Sequence, residues 1–592
     1  MHIPSRLFVA GASLSSLSIL LANAQGATNT STQILTPEVD AFINGILSEW
    51  GSAGGVGVAV VRQTASGEWQ IETKGYGTAK ADGTNVTENT LFAIGSNSKL
   101  FTSIATGLLI SNESLTPRLS WDTKIASVIP DWGLMDPIAS AGASIIDTMS
   151  HRTGLPRHDL MYKINDSVPD LIKRLRFLRN STEFRDRFQY CNLGYGVLSY
   201  LPTAVLPDHP PFARYVKAHI FDPLGLNSTT YAFEVANATG NLADGFQREV
   251  SNVTAGPLDR GIPHAIPYWS KFGGEDGNLV SGPGGIISNA VDMATWLQSL
   301  LLGGANPATN ASVIPATIIN TVATGLTVLS GSPPIPVLSP QVYGGGQIQS
   351  TYRGHVVVEH DGGVPGFTSA IARMPYDNIG VAVLSNDGNV GFAFTQVLKF
   401  RIFDAALGIT PFDFDPLLKQ VAVEGVGPAL PRPANATPPA SGFEAIAGKY
   451  FDEGYGAVEL CSAVNGSSPS AASKSCQSLL ANASTILPGV LDPAVPTYLA
   501  RVDKVLAEFL SFTHYDGDVF NVSTLVSYPT GNASAPFWVD GGAPGIAGVV
   551  ATFSSDGNTT GFGITGGAWG AIADEPIGNT VKERSEVWFA KV

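Results

Sequence analysis

The amino-acid sequence predicts a mixed α/β (α+β) main domain followed by a smaller, mainly β C-terminal domain. Three observations carry this. Hydrophobic periodicity passes from helical to alternating and back again before Ile110. A Pro-rich stretch from Pro428 to Pro439, with Pro431, Pro433 and Pro438 inside it, then breaks the pattern and reads as extended chain. Beyond Phe443 the sequence holds only short alternating runs separated by Gly, Asn and Asp. At 592 residues the chain exceeds one ordinary core. The expected division is a main domain over 33–410, a linker over 411–440 and a β domain over 441–592.

Thr36 to Trp50 place Val39, Phe42, Ile43, Ile46 and Leu47 at helical spacing behind a Thr36-Pro37 start, which predicts an amphipathic helix. Val56 to Val61 and Trp69 to Thr73 follow as two strands of a meander. The period is helical again from Asn97 to Ile110, with Ser96 at its first turn. Further helices are expected around Ile145 to Ser150, Leu171 to Leu178, Gly194 to Leu201, Ala290 to Leu302 and Phe392 to Ala406. His355 to Ser385 reads strand, turn, strand, with Pro375-Tyr376-Asp377-Asn378 as the turn. In the C-terminal part, Ala457 to Leu460, Phe537 to Val539 and Val549 to Phe553 alternate like strands of a barrel or sandwich.

A hydrophobic fraction of 44% against 14% charged residues describes a folded, loop-rich protein and excludes a disordered one. The net charge of −15 argues against nucleic acid or an anionic membrane as partner, since both require basic patches. Residues 1–24 read as a signal peptide: Arg6, a mildly apolar run from Leu7 to Leu21, then Ala22-Asn23-Ala24 with cleavage before Gln25. Gly11, Ser13, Ser15, Ser16 and Ser18 make that run too polar and too short for a membrane anchor. Export is also consistent with the Asn-x-Ser/Thr sequons at Asn29, Asn85, Asn112, Asn165, Asn180, Asn227, Asn237, Asn252, Asn310, Asn435, Asn465, Asn482, Asn521, Asn532 and Asn558. The expected protein is therefore secreted and glycosylated. In an oxidising compartment Cys461 and Cys476 are expected to pair, closing a loop worth roughly 3 kcal/mol. Cys191 then stands alone and reads as a buried small hydrophobe.

The chemistry-bearing residues begin with Ser96-Asn97-Ser98-Lys99. Three residues make just under one helical turn, so the hydroxyl and the amine share a face within hydrogen-bonding reach. The helix N-terminus adds partial positive charge and free N–H groups beside the hydroxyl. A lysine acts as a base only when neutral, and lowering its pKa from about 10.4 to near 7 costs on the order of 4–5 kcal/mol. Burial and a nearby cation or hydrogen bonds are then required. Taken alone, the tetrapeptide reads as a capping serine with a surface lysine. Tyr190-Cys191-Asn192 adds a phenol able to share one proton with such an amine. His360-Asp361-Gly362-Gly363, followed by Pro365-Gly366-Phe367, falls at the end of a strand before a hairpin. No His-x-His-x-Asp-His run, Gly-x-Ser-x-Gly elbow or P-loop occurs, which argues against metallo-hydrolase, α/β-hydrolase and P-loop nucleotide-binding readings. No metal or cofactor is expected.

In this order the motifs resemble those of the serine β-lactamase and penicillin-binding-protein superfamily, in which Ser-x-x-Lys precedes the Tyr-x-Asn of class C β-lactamases, D-alanyl-D-alanine carboxypeptidases and related esterases. Many esterase-like and peptidase-like members carry His-x-Gly in place of the third motif, Lys-Thr-Gly. Ser150 to Asp159 resembles the family's Ser-His-x-Ser-Gly-Leu-Pro segment, and Gly284 to Ala294 its Gly-Gly-hydrophobic-x-Ser helix start. The resemblance covers about residues 36–410. The C-terminal domain resembles, more loosely, the β domains appended to eukaryotic β-lactamase-like proteins. What the resemblance implies is an antiparallel sheet flanked by helices plus an all-helical subdomain. It implies Ser96 as nucleophile with Lys99 and Tyr190 as proton carriers. It also implies an oxyanion hole from the N–H groups of Ser96 and Gly363, with Gly362 allowing close backbone approach. Asn192 would orient Lys99 and a substrate amide or carbonyl, and His360 would line the pocket opposite the nucleophile.

Histidine at 360 removes a permanent cation that, by resemblance, holds the carboxylate of β-lactams and D-Ala-D-Ala peptides. The implied activity is a secreted hydrolase of small-molecule esters or amides working through an acyl-enzyme. A true β-lactamase, acyl transfer to a small alcohol or amine, and a non-catalytic binding protein are the alternatives. Oligomeric state stays open.

Overall fold

Val56, Val58 and Val60 on one side and Ala59 and Val61 on the other are all buried, so the first strand has no solvent face. It lies inside an antiparallel sheet covered by helices on both sides. In the computed structural model, which describes residues 33–249, 261–424, 432–464, 473–541, 548–556, 559–572 and 575–592, that sheet has eight strands. They are β1 (Gly55–Gln63), β2 (Trp69–Gly77), β3 (Thr327–Ser330), β4 (Gln341–Tyr343), β5 (Ile348–Tyr352), β6 (His355–Val364), β7 (Phe367–Met374) and β8 (Ile379–Ser385), in the order β2-β1-β8-β7-β6-β5-β4-β3. Register places Val58 opposite Val383 and His360 opposite Ile371. The expected signal segment and the sequons at Asn29, Asn252, Asn465 and Asn558 lie outside the described residues.

Six helices matter for the site: α1 (Pro37–Glu49), α2 (Ser98–Ser111), α3 (Asn192–Ser199), α4 (Ala290–Leu301), α5 (Gly391–Leu407) and α6 (Asp415–Glu424). Thr36 caps α1 by accepting the Val39 N–H, with Pro37 at the first helical position where its missing donor costs nothing. Ile43 and Ile46 of α1 join Phe394 and Leu398 of α5 over Val56, Val58 and Val60. On the opposite face Ala59 and Val61 join Trp296 and Leu297 of α4 and Phe101 of α2, with the Trp296 and Phe101 rings stacked at 4.1 Å. Each such side chain contributes roughly 1.5–3 kcal/mol by leaving water. Between β2 and β3 the chain builds the helical subdomain, including Ile145–Met149, Val168–Arg174 and α3.

Two expectations change. The stretch from His355 to Ser385 holds three strands, because Pro365 and Gly366 turn the chain once before the Pro375–Asn378 turn; Gly366 sits at φ +79°, where glycine alone is unstrained. The 411–440 segment is not extended throughout. Its Asp415–Glu424 part is α6, held because Leu418 packs on the α1/α5 core and the Trp50 Nε1 donates to Asp415 (2.6 Å).

The C-terminal domain is a barrel. Its strands are β9 (Gly448–Asp452), β10 (Gly456–Ser462), β11 (Thr497–Lys504), β12 (Ala507–Asp516), β13 (Val519–Pro529), β14 (Phe537–Asp540), β15 (Val550–Asp556), β16 (Thr559–Thr565) and β17 (Val587–Lys591). They run β12-β11-β10-β9-β17-β16-β15-β13-β14, and β12 also pairs with β13, which closes a ring of eight with β14 outside it. Tyr450, Phe553, Phe562 and Phe589 fill the interior, with Phe562 and Phe589 stacked at 4.9 Å. Closure leaves the ring without free edges. Cys461 and Cys476 form a disulfide between β10 and the helix Lys474–Ile486, and Cys191 is buried with its thiol pushed up to about 12 by that burial.

Replacing Cys476 by serine is expected to lower the stability of the barrel by about 2–5 kcal/mol. Chemical denaturation followed through tryptophan fluorescence measures it, and an unshifted midpoint contradicts the expectation.

Candidate active site

Ser96 lies in a single 3₁₀ turn, Gly95–Asn97, that runs directly into α2. A methyl group on Gly95 would come within 2.7 Å of Gly363 N, and one on Gly362 within 2.0 Å of Ile94 O. The serine turn and the end of β6 are thus in backbone contact, which only residues without a β-carbon permit. Asn97 ties the serine turn to the neighbouring strand β7: its Nδ2 donates to Ser369 Oγ (2.8 Å), which donates to Ile94 O (2.8 Å). Gly363 is exposed and faces open space.

One turn along, Lys99 is fully buried, yet its Nζ donates to Ser96 Oγ (2.9 Å) and to Pro283 O (2.8 Å). Burial first, and the Arg157 guanidinium second, hold the Lys99 amine well below its usual range, against an opposing effect of Asp159. Tyr190, two residues before α3, donates its hydroxyl to Ser96 Oγ at 2.6 Å. Its ring centroid lies 4.8 Å from Lys99 Nζ. Burial pushes the phenol up to about 12, moderated by Arg157 and by the bond to Ser96. Both shifts favour the uncharged forms, because a low-dielectric site disfavours charge of either sign.

The structure therefore brings Ser96, Lys99, Tyr190, Gly362 and Gly363 together, while two expected roles have other partners. Asn192 does not bond Lys99: its Nδ2 donates to Asp159 Oδ1 (3.0 Å), and the Lys99 amine is occupied by Ser96 and Pro283. His360 is not an open pocket wall. It is 7% exposed, Nε2 pairs with the Tyr343 hydroxyl (3.0 Å), and its ring centroid lies 6.3 Å from that of Tyr190. Burial and the nearby Lys99 bring it down to about 3, so it is neutral at pH 7. The reason is strand alternation: His360 points inward toward α2 and α4, and Asp361 points to the α5 side, where Gln396 Nε2 donates to it (2.5 Å).

The sequence reading missed Arg157, Asp159 and the Pro283 carbonyl as site residues. Arg157 and Asp159 are paired through Nε and Oδ2 (2.6 Å), and both lie in the Ser150–Asp159 segment, which was the available signal. A backbone carbonyl such as that of Pro283 leaves no trace in residue type. Among the described residues no group of His, Cys, Asp and Glu is placed to hold a metal ion. Of the sequons, Asn180 turns its Nδ2 inward to Thr153 O (3.2 Å), whereas Asn85, Asn165, Asn227, Asn237, Asn310, Asn435, Asn482 and Asn532 are exposed. Asn112 and Asn521 are half-buried.

A family model described as Beta-lactamase matches residues 46–399. The chain belongs to the beta-lactamase family. This beta-lactamase-family chain is 31% identical over 440 residues to the unguisins hydrolase of Aspergillus violaceofuscus, covering 69% of its own length and 73% of the relative's. It is 25% identical over 239 residues to a putative D-alanyl-D-alanine carboxypeptidase of Salmonella gallinarum, covering 37% of its own length and 52% of the relative's. The octameric penicillin-binding protein homologue from Pyrococcus abyssi superposes with a TM-score of 0.51 at 16% identity, over 94% of this chain and 99% of that one. That likeness is one of fold, and it takes in the barrel.

Behind β6, Lys399 of α5 is buried and ion-paired with Glu359. Lys399→Met leaves that carboxylate buried without its cation, and a loss of about 3–5 kcal/mol in unfolding free energy is expected. Denaturant titration at pH 7 checks this; wild-type stability would show the pair to be dispensable.

Proposed function

We propose that this chain is a secreted serine hydrolase that cleaves esters or amides through an acyl-enzyme on Ser96. The observation that carries the reading is the double contact on one oxygen: Ser96 Oγ has Lys99 Nζ at 2.9 Å and the Tyr190 hydroxyl at 2.6 Å. A neutral Lys99 keeps a lone pair that accepts the Ser96 proton as Oγ attacks the carbonyl carbon. The developing oxyanion is received by the N–H groups of Ser96 and Gly363. Tyr190, with its phenol up at about 12, gives its proton to the leaving oxygen or nitrogen, and the Lys99 ammonium replaces it. Water then attacks the acyl carbon, passes a proton to the same pair, and Ser96 leaves as the hydroxyl.

The buried, neutral His360 supports substrates without an obligatory carboxylate, since the third motif supplies no cation. A relative named for D-alanyl-D-alanine, a peptide amide, supports amides beside esters.

A panel of p-nitrophenyl esters, nitrocefin and D-amino-acid amides, compared between wild type and Ser96→Ala, tests the reading. Loss of at least about 1000-fold in kcat/KM is expected for Ser96→Ala, with fluorophosphonate adding mass to wild type only. No turnover and no label on wild type would favour a binding protein, and turnover confined to nitrocefin a β-lactamase. The pH profile follows from the two shifts. Activity falls as pH drops through the depressed Lys99 pKa, because protonation removes the base, and the plateau extends to alkaline pH because Tyr190 stays protonated until about 12. An acid limb unaltered by Lys99→Arg would assign that limb to another group.

A further inference from the structure

Tyr190 belongs to no helix or strand and lies two residues ahead of α3. Its immediate surroundings are held from the C-terminal barrel. On one side Gln189, fully buried, pairs with the backbone of Ile572 as one rung of a ladder: Gln189 Nε2 donates to Ile572 O (3.1 Å) and Ile572 N donates to Gln189 Oε1 (2.9 Å). On the other side the Arg157 guanidinium carbon sits 4.9 Å from the Tyr190 ring centroid. The stem of Arg157 lies on Gly570, where a methyl group would meet its Cδ, Cβ and Cγ at 2.7, 2.9 and 3.0 Å. The next residue, His158, donates its N–H to Trp569 O (2.9 Å). The loop that makes these contacts is itself tied down, since Glu586 accepts the N–H groups of Gly567 (2.6 Å) and Trp569 (3.0 Å). Two bonds in parallel fix an angle as well as a distance, and a buried amide left without partners is costly.

We propose that the loop 566–572 of the C-terminal barrel is a working part of the active site, in which Gln189 and Arg157 are positioning residues that seat the Tyr190 hydroxyl on Ser96. The proposal rests on the reading of Tyr190 as the proton donor to the leaving group. Its consequence is that the barrel acts on turnover through the placement of one phenol, without touching the reacting atoms.

The test uses the full chain and the D-amino-acid amide that wild type hydrolyses best, because an amine leaves only when protonated. Gln189→Met keeps the bulk of the side chain and removes both bonds to Ile572. A displacement of about 1 Å at a reacting group is worth on the order of 100-fold, so kcat is expected to fall roughly 10- to 100-fold while KM moves by less than about threefold. The alkaline limb of the kcat profile, which reports Tyr190, is expected to shift. Gly570→Ala, which displaces Arg157 from the other side, should give the same signature. Gln189→Glu keeps the acceptor for the Ile572 N–H and should fall between wild type and Gln189→Met. If Gln189→Met does not fold, Gly570→Ala and Gln189→Glu carry the comparison. Wild-type kcat and pH profile in the folded variants, with or without a lowered melting temperature, would overturn the proposal by making the contact merely structural. If wild type itself hydrolyses nothing beyond Ser96→Ala, the enzyme reading fails and takes this one with it.

Discussion

The constraint on which the rest of the structure depends is the burial of one ammonium-forming side chain. Lys99 stands on α2 with no exposure, at hydrogen-bonding distance from Ser96, and burial is the largest influence on its proton affinity. Each pKa unit of such a shift corresponds to about 1.4 kcal/mol, so the fold must supply a tight, dry wall around that amine. It does so from several distant segments. Pro283 contributes a carbonyl, Tyr190 and Tyr195 contribute ring faces at 4.8 and 5.4 Å, and Gly346 approaches so closely that a methyl group there would lie 2.8 Å from the Lys99 carbonyl carbon. Trp296 stacked on Phe101 closes the layer beneath.

The sheet adds the other half of the site. Because β6 and β7 are covered on both faces, the polar groups of the third motif are distributed by alternation alone: His360 to the α2 side, Glu359 and Asp361 to the α5 side. Asp361 is raised to about 6 by burial, against the pull of Lys399. The strand that offers the Gly363 amide is therefore stiffened from behind by a buried polar cluster, and the two glycines are free to meet the serine turn. Preorganised amides of this kind stabilise charge without reorganising when it develops.

The barrel is more than an appendage in physical terms. Lys504 of β11 is brought down to about 7 by burial and donates to both Met161 O of the main domain and Tyr455 O of the barrel. His158, at φ +44°, is clasped between Tyr455, Trp569 and Arg179. The segment that carries Arg157 and Asp159 is thus shared between the domains, and so is the electrostatic setting of Lys99.

Much of this was legible in the residues. The helix over Pro37–Glu49, the α2 helix behind Ser96, the meander and the break before a β domain all follow from periodicity and from Pro and Gly placement, which are local properties. The pairing of Cys461 with Cys476, expected for two cysteines flanking a short segment in an oxidising compartment, is present. Helix α6 escaped because its few apolar residues sit beside a Pro-rich stretch, and its stability comes from the α1/α5 core and from Trp50, 365 residues before Asp415 in sequence.

Helical spacing by itself joined the hydroxyl of Ser96 to the amine of Lys99, and motif order, through the resemblance it carries, added the phenol of Tyr190 to the same site. Tertiary structure alone decided how that site is tuned. That Asn192 serves Asp159, that His360 is sealed in and neutral, and that Gln189 reaches the barrel depend on which groups burial and close packing bring within three ångströms. Such contacts join residues that no local pattern connects, and the dielectric they experience is a property of the whole fold.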